Sequence, residues 1–147
     1  MQRRVFIAAG AAAAVAGVVA SRFIGAAGAE NLTLEALTGA QLANDPDTLL
    51  VDIRRPEEWK QTGVVEGALL VTYTSPEAFL KAVTPRLAPG QQLALICRSG
   101  NRTSRATRQI AGMVEVPVVD VQGGMLRVLR EGYRPIAPTR AMGCASC

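Results

Sequence analysis

Short runs of apolar residues alternate along this chain with segments of helical character. Three of the runs, at residues 49–53, 93–96 and 118–121, are four or five residues long and consist mainly of Leu, Val and Ile. Apolar runs of this length are typical of strands that are buried on both faces, and strands that alternate with helices favour a parallel sheet. The sequence therefore predicts an α/β fold in which helices cover both faces of a parallel sheet.

Helix-start signals lie between these runs. Pro56 opens a helical turn that has acidic residues near its positive end, and Ser75 is placed to cap a second helix. A third helix is expected over about residues 102–113 and a closing helix over residues 125–130, with a short strand near residues 69–71.

The run at residues 93–96 leads directly into the segment with the clearest chemistry. Cys97 follows the strand, and a loop that contains Gly100 separates it from the predicted third helix. In a strand–loop–helix segment of this kind, backbone N–H groups converge and the helix N-terminus adds a partial positive charge. The same field favours a thiolate over a thiol. We therefore predict an anion pocket with Cys97 as its nucleophile; the alternative, an inert core cysteine, gives no reason for a cysteine to precede this loop.

The composition excludes several classes of function. The 147 residues provide for one domain, which we place at residues 30–134, and the net charge is +4. Three of the sixteen basic residues lie within residues 1–29, which contain no acidic residue, so the rest of the chain has thirteen basic and twelve acidic residues. With only one Trp, two Tyr and three Phe, no nucleic-acid partner is expected. The chain contains no His, which excludes Cys–His and Ser–His–Asp hydrolase mechanisms.

Residues 1–29 have the pattern of an export signal. Arg3 and Arg4 precede a run of mainly Ala, Val and Gly, and residues 27–29 read Ala-Gly-Ala, a typical cleavage sequence. The paired arginines resemble the twin-arginine signal. We expect cleavage and a periplasmic location. The alternative is an uncleaved anchor facing the periplasm, the one case in which membrane contact is expected, but Ser21 and Arg22 end the apolar run before the roughly 20 residues that a span needs.

The order of motifs between residues 49 and 133 resembles the rhodanese (thiosulfate sulfurtransferase) domain family. The matching segments are Val51-Asp52-Ile53-Arg54, Pro56-Glu57-Glu58-Trp59, Gly63, Gly67-Ala68, Cys97-Arg98-Ser99-Gly100-Asn101-Arg102-Thr103, Gly123-Gly124-Met125 and Gly132-Tyr133. The resemblance implies a rhodanese-like, parallel five-stranded sheet with helices on both faces.

The resemblance also implies a reaction. The Cys97 thiolate would attack the outer sulfur of thiosulfate or a related donor, release sulfite and become a persulfide, which a thiol or cyanide acceptor would discharge. The six-residue loop from Cys97 to Arg102 fits sulfur transfer, whereas relatives that act on phosphate or arsenate carry one residue more. The alternative is a non-catalytic sulfane-sulfur carrier or binding module for a redox partner protein.

The family pattern assigns roles within the loop. Cys97 is the implied catalytic residue, and Asp52 is expected to give structural support by pairing with Arg102. No cofactor and no metal is expected. The residues implied to bind the donor anion are Arg98, Ser99, Gly100, Asn101, Arg102 and Thr103.

The last four residues form a C-x-x-C motif. Cys144 and Cys147 follow a Pro-containing stretch, residues 135–138, that is typical of a linker, and we predict residues 135–147 to be a tail. In an oxidising compartment the pair would close into a disulfide, and a zinc site would need about four ligands. We hypothesise that the pair accepts or releases sulfur from Cys97 or docks a thioredoxin-like partner. A frayed tail with inert cysteines is the alternative.

Overall fold

One five-stranded parallel sheet forms the centre of the molecule. The computed structural model describes residues 30–147, so the predicted export signal at residues 1–29 lies outside the described residues. The strands are β1 (Leu32–Glu35), β2 (Thr48–Asp52), β3 (Leu69–Leu70), β4 (Gln92–Ile96) and β5 (Val118–Val121). Their order in the sheet is β1-β5-β4-β2-β3, and all neighbouring strands are parallel. The predicted α/β fold with a five-stranded parallel sheet is therefore confirmed.

Five α-helices connect or follow the strands. The helices that begin at Pro56 and Pro76 have the start signals expected from sequence, whereas the first helix, capped by Thr38, is not among those predicted. Ser75 accepts a hydrogen bond from the N–H of Ala78 at 3.2 Å, as an N-cap does. Within residues 30–147, none of the helices is long and apolar enough to cross a membrane. The helices are α1 (Gly39–Leu42), α2 (Pro56–Thr62), α3 (Pro76–Val83), α4 (Asn101–Ala111) and α5 (Gly124–Arg130).

The sheet separates two apolar cores. Side chains alternate along each strand, so that Ala94 and Ile96 of β4 face one core while Leu95 and Cys97 face the other. Helices α1, α2 and α5 cover the first core, and α3 and α4 cover the second. Helices thus lie on both faces of the sheet, as predicted.

The C-terminal segment packs against the sheet, which corrects its interpretation as a linker. Ile136 pairs with Val64 through two backbone hydrogen bonds of 2.9 and 3.0 Å. The N–H of Leu70, in the edge strand β3, donates to the carbonyl of Met142 at 2.7 Å. Cys144 is fully buried in the first core. Because β3 is only two residues long and would otherwise leave an open edge, the segment completes that side of the domain.

Candidate active site

The candidate site lies at the carboxyl ends of β2 and β4. The helices that follow these two neighbouring strands, α2 and α4, leave toward opposite faces of the sheet. In open α/β sheets, this divergence creates a crevice at the carboxyl ends of the strands, where ligands bind. Cys97 is the first residue after β4 and stands at this crevice.

The loop folds around the sulfur of Cys97. The N–H of Gly100 donates to Cys97 Sγ at 3.1 Å, and Thr103 Oγ1 lies 3.7 Å from the same atom. Gly100 has a φ of +97° and is the N-cap of α4, so a residue that tolerates the left-handed region is required there. The hydrogen bond from the Gly100 N–H and the N-terminus of α4 both stabilise negative charge on the sulfur. The Cys97 residue is 1% exposed, so any reactant must reach its sulfur through the mouth of the loop.

The start of α5 holds the other side of the loop. The N–H of Met125 donates to the carbonyl of Cys97 at 2.8 Å, and the N–H of Leu126 donates to the carbonyl of Arg98 at 3.0 Å. Gly124 has a φ of +56°, and a Cβ at this position would meet the Cys97 carbonyl oxygen and lie 2.7 Å from the Arg98 carbonyl carbon. Only glycine lets α5 begin this close to the loop.

Arg102 joins α4 to α2 across the crevice. Its guanidinium contacts both carboxylate oxygens of Glu58, at 2.7 and 2.5 Å, in the bidentate geometry that arginine favours. This hydrogen bonding lowers the pKa of Glu58 to about 2 and raises the pKa of Arg102. The predicted pairing of Arg102 with Asp52 is therefore wrong. Glu58 projects from α2 toward the start of α4, whereas Asp52 is engaged elsewhere.

Asp52 is paired with Arg54, two residues along the chain. The Arg54 side chain contacts the carboxylate through Nε at 2.9 and 3.0 Å and through Nη2 at 2.7 Å. The same guanidinium donates to Thr62 Oγ1 at 2.6 Å and to the Gly63 carbonyl at 2.8 Å. Asp52 thus fixes an arginine that ties β2 to the end of α2.

Two cavities meet at Arg98, which is exposed at the mouth of the loop. The smaller cavity has a volume of about 150 Å³ and lies between α2 and α5, where Met125, Leu126 and Leu129 form an apolar wall. The larger one is an open depression of about 560 Å³, lined by Arg98 and Arg102 together with three other charged residues of which two are acidic. A small anion can therefore approach the arginines at the rim, and the cleft beside them offers an apolar wall on the α5 side.

The structure brings the predicted loop residues together and separates the C-terminal pair from them. Ser99 and Asn101 are exposed, and Thr103 is buried beneath Cys97. Cys144 and Cys147 form a disulfide. Cys144 belongs to the first core and Cys97 to the second, on the other face of the sheet.

Sequence reasoning missed the roles of Glu58, Arg54 and Gly124, although all three lie in segments that carry the family resemblance. The segment after β2 indicated a helix start with acidic residues, but it did not indicate which basic residue would pair with Glu58.

Comparison with known proteins identifies the family. Residues 36–133 match the rhodanese-like domain family model. The chain belongs to the rhodanese-like domain family. This rhodanese domain is 30% identical over 98 residues to a sulfurtransferase of Allochromatium vinosum, an alignment that covers 67% of the chain and 87% of the relative.

Solved structures agree with this assignment. A rhodanese-related protein of Thermoplasma volcanium is 25% identical with a TM-score of 0.53, over 71% of this chain and 99% of that one. A Rhodopseudomonas palustris protein of unknown function, described as a possible tyrosine phosphatase, is 22% identical with a TM-score of 0.54, over 70% of this chain and 85% of that one. The second likeness shows the fold alone. Together with the relative from Allochromatium vinosum, the family match supports a protein of sulfurtransferase type.

Proposed function

We propose that this rhodanese transfers sulfane sulfur from thiosulfate or a related donor, through a persulfide on Cys97, to a thiophilic acceptor. The observation that carries the proposal is the position of Cys97 Sγ, 3.1 Å from the N–H of Gly100 at the N-terminus of α4. A sulfur atom that accepts a backbone hydrogen bond at a helix N-terminus can carry negative charge as a thiolate and, after transfer, as a persulfide.

The transfer needs no general base. The Cys97 thiolate attacks the outer sulfur of thiosulfate, the sulfur–sulfur bond of the donor breaks, and sulfite leaves with the bonding electron pair. A thiolate or cyanide acceptor then attacks the terminal sulfur of the persulfide and regenerates the Cys97 thiolate. Each step exchanges one anionic nucleophile for another, which suits a chain without histidine.

The two arginines of the loop have different roles in this proposal. Arg98 stands exposed at the junction of the two cavities, where its charge attracts the anionic donor. The Arg102 guanidinium is engaged by Glu58, so it fixes the loop against α2 rather than serving the donor. The backbone N–H groups between Arg98 and Thr103 receive the anion.

The loop length supports sulfur over phosphate as the transferred group. The loop from Cys97 to Arg102 has six residues, whereas the corresponding loop of relatives that act on phosphate or arsenate has one residue more.

We also propose that the domain works in the periplasm after cleavage near Ala29. Sequencing the N-terminus of the protein from its native cell tests this location, and a mature chain that still begins at Met1 would contradict cleavage.

Replacing Cys97 by Ser tests the function. With thiosulfate and cyanide, we expect sulfite and thiocyanate production to fall by at least about a hundredfold in Cys97→Ser, and the sulfur adduct seen by mass spectrometry to disappear. Cys147→Ser, which removes a cysteine outside the site, is the matched control. Unchanged turnover in Cys97→Ser would overturn the proposal. A stable adduct on Cys97 with slow turnover would favour the sulfur carrier instead.

A further inference from the structure

The C-terminal disulfide joins a buried sulfur to the exposed end of the chain. Cys144 is 0% exposed and packs in the first core. Cys147, three residues further on, is exposed and is the last residue of the chain as given. The two cysteines therefore differ strongly in their access to other molecules.

This disulfide does not anchor the C-terminal segment to the domain. The stabilisation that a cross-link provides grows with the length of the loop it closes, and this loop spans only from Cys144 to Cys147. The segment is anchored upstream instead, by the pairing of Ile136 with Val64 and by the hydrogen bond from Leu70 to Met142. The disulfide therefore adds little to the stability of a segment that is already anchored, and a purely structural role does not account for it.

Cys144 keeps its place without the disulfide. Gly143, with a φ of +116°, lies against the carbonyl of Leu70, where a Cβ would collide with the oxygen. The N–H of Cys144 donates to the carbonyl of Thr139 at 3.1 Å. Cys147 has one backbone bond, from its N–H to the carbonyl of Cys144 at 3.2 Å. Opening the disulfide would thus release Cys147 while Cys144 stays packed.

We propose that Cys144 and Cys147 form a thiol–disulfide exchange centre, distinct from Cys97, whose substrate is an external dithiol protein. A thiolate of that protein attacks Cys147 Sγ, the bond to Cys144 breaks, and Cys144 leaves as a thiolate that takes up a proton. The second thiolate of the partner then attacks its own mixed disulfide and releases Cys147. The partner leaves oxidised by two electrons, and this chain gains two thiols.

The centre operates apart from the sulfur-transfer site. Cys97 follows β4, and the strands β2 and β3 lie between β4 and the C-terminal segment. The distance across the sheet from Cys97 to that segment is therefore about three strand spacings, or roughly 14 Å. The two sulfur sites also lie on opposite faces of the sheet. Direct passage of sulfur between them is therefore blocked while the segment is packed, which argues against the sulfur relay considered from sequence and for exchange with a second protein.

The test uses the full chain with Cys97→Ser, so that only the two cysteines of the pair remain. A reduced dithiol protein of the thioredoxin type is mixed with it in about tenfold molar excess, and free thiols are alkylated and counted by mass spectrometry. We expect two alkylated thiols per chain and an equal loss of thiols from the probe. A probe that carries Ser in place of its second cysteine should form a mixed disulfide, mapped to Cys147 in at least about tenfold excess over Cys144.

Single-thiol variants provide the control for access. In the Cys97→Ser background, we expect the thiol left by Cys144→Ser to be alkylated at least about tenfold faster than the thiol left by Cys147→Ser. A pair that stays oxidised in the folded chain and is reduced only in urea would overturn the proposal, as would a mixed disulfide on Cys144. Because Cys97 is absent from every sample, these outcomes are independent of the proposed sulfur transfer.

Discussion

Removing the charge of Asp52 is expected to cost the domain a large part of its stability. The side chains of Asp52 and Arg54 are 0% and 1% exposed, so Asp52→Asn leaves a guanidinium that is both buried and unpaired. Breaking a buried ion pair from one side typically costs about 3–5 kcal/mol. The other acceptors of Arg54, which are the carbonyls of Glu58 and Gly63 and the hydroxyl of Thr62, are neutral and do not replace the lost charge.

This loss of free energy should lower the midpoint of thermal unfolding by a measurable amount. For a domain of this size, about 1 kcal/mol corresponds to roughly 4 °C in the midpoint of thermal unfolding, so Asp52→Asn should melt about 12–20 °C below the wild type. Urea unfolding gives the free energy itself. Trp59 is the sole tryptophan of the chain and is 2% exposed, which makes its fluorescence a probe of the core.

A double variant separates charge burial from lost contacts. Asp52→Asn combined with Arg54→Met removes both charges, and we expect it to be more stable than Asp52→Asn alone, since no unpaired charge remains. If Asp52→Asn costs less than about 1 kcal/mol with an unchanged dependence on urea, the pair behaves like a solvated one and the reasoning from burial is refuted.

Two further substitutions probe the framework of the loop that holds Cys97. Glu58→Gln should lower the free energy of unfolding by less than about 1 kcal/mol at neutral pH, because the pair is partly exposed. Since the hydrogen bonds from Arg102 lower the folded-state pKa of Glu58 below its ordinary value of 4.5, the difference from wild type should be complete above pH 4.5 and should decline as the pH falls below that value. A difference that stays constant down to pH 2 in urea titrations would contradict this. Gly124→Ala places a methyl group against the carbonyls of Cys97 and Arg98 and should slow sulfur transfer by at least about tenfold. Gly132→Ala is the matched control, because its φ of +93° imposes similar strain while an added Cβ meets nothing within 4 Å; equal rates in the two variants would show that the contact with the loop is unimportant.

The sequence predicts the parts of the fold that depend on local patterns. The apolar run at residues 118–121 matches β5, and the helix expected from about residue 102 begins at Asn101. The sequence pattern does not predict the strand β1. Leu34 in that strand is 62% exposed, so the strand lacks the apolar run of a buried one, and it forms only because β5 offers an open edge.

The candidate site likewise contains parts that the local sequence predicts and parts that only the packing of distant segments determines. Cys97 and its loop follow from a contiguous motif, and Gly100 takes the N-cap position because the loop requires a left-handed residue. The partner of Arg102 lies 44 residues away, and nothing local distinguishes Glu58 from Asp52 as that partner. The choice is made by the packing of α2, which directs Arg54 inward to Asp52 and Glu58 outward to Arg102.

The sheet physically separates Cys97 from the buried sulfur of the C-terminal disulfide within one small domain. Because Cys97 and Cys144 pack in separate cores, neither sulfur can reach the other while the domain is folded. If both sulfurs stood in one crevice, a reduced C-terminal pair could attack a persulfide formed on Cys97; the strands β4, β2 and β3 that lie between them keep the two sulfurs apart in the folded domain.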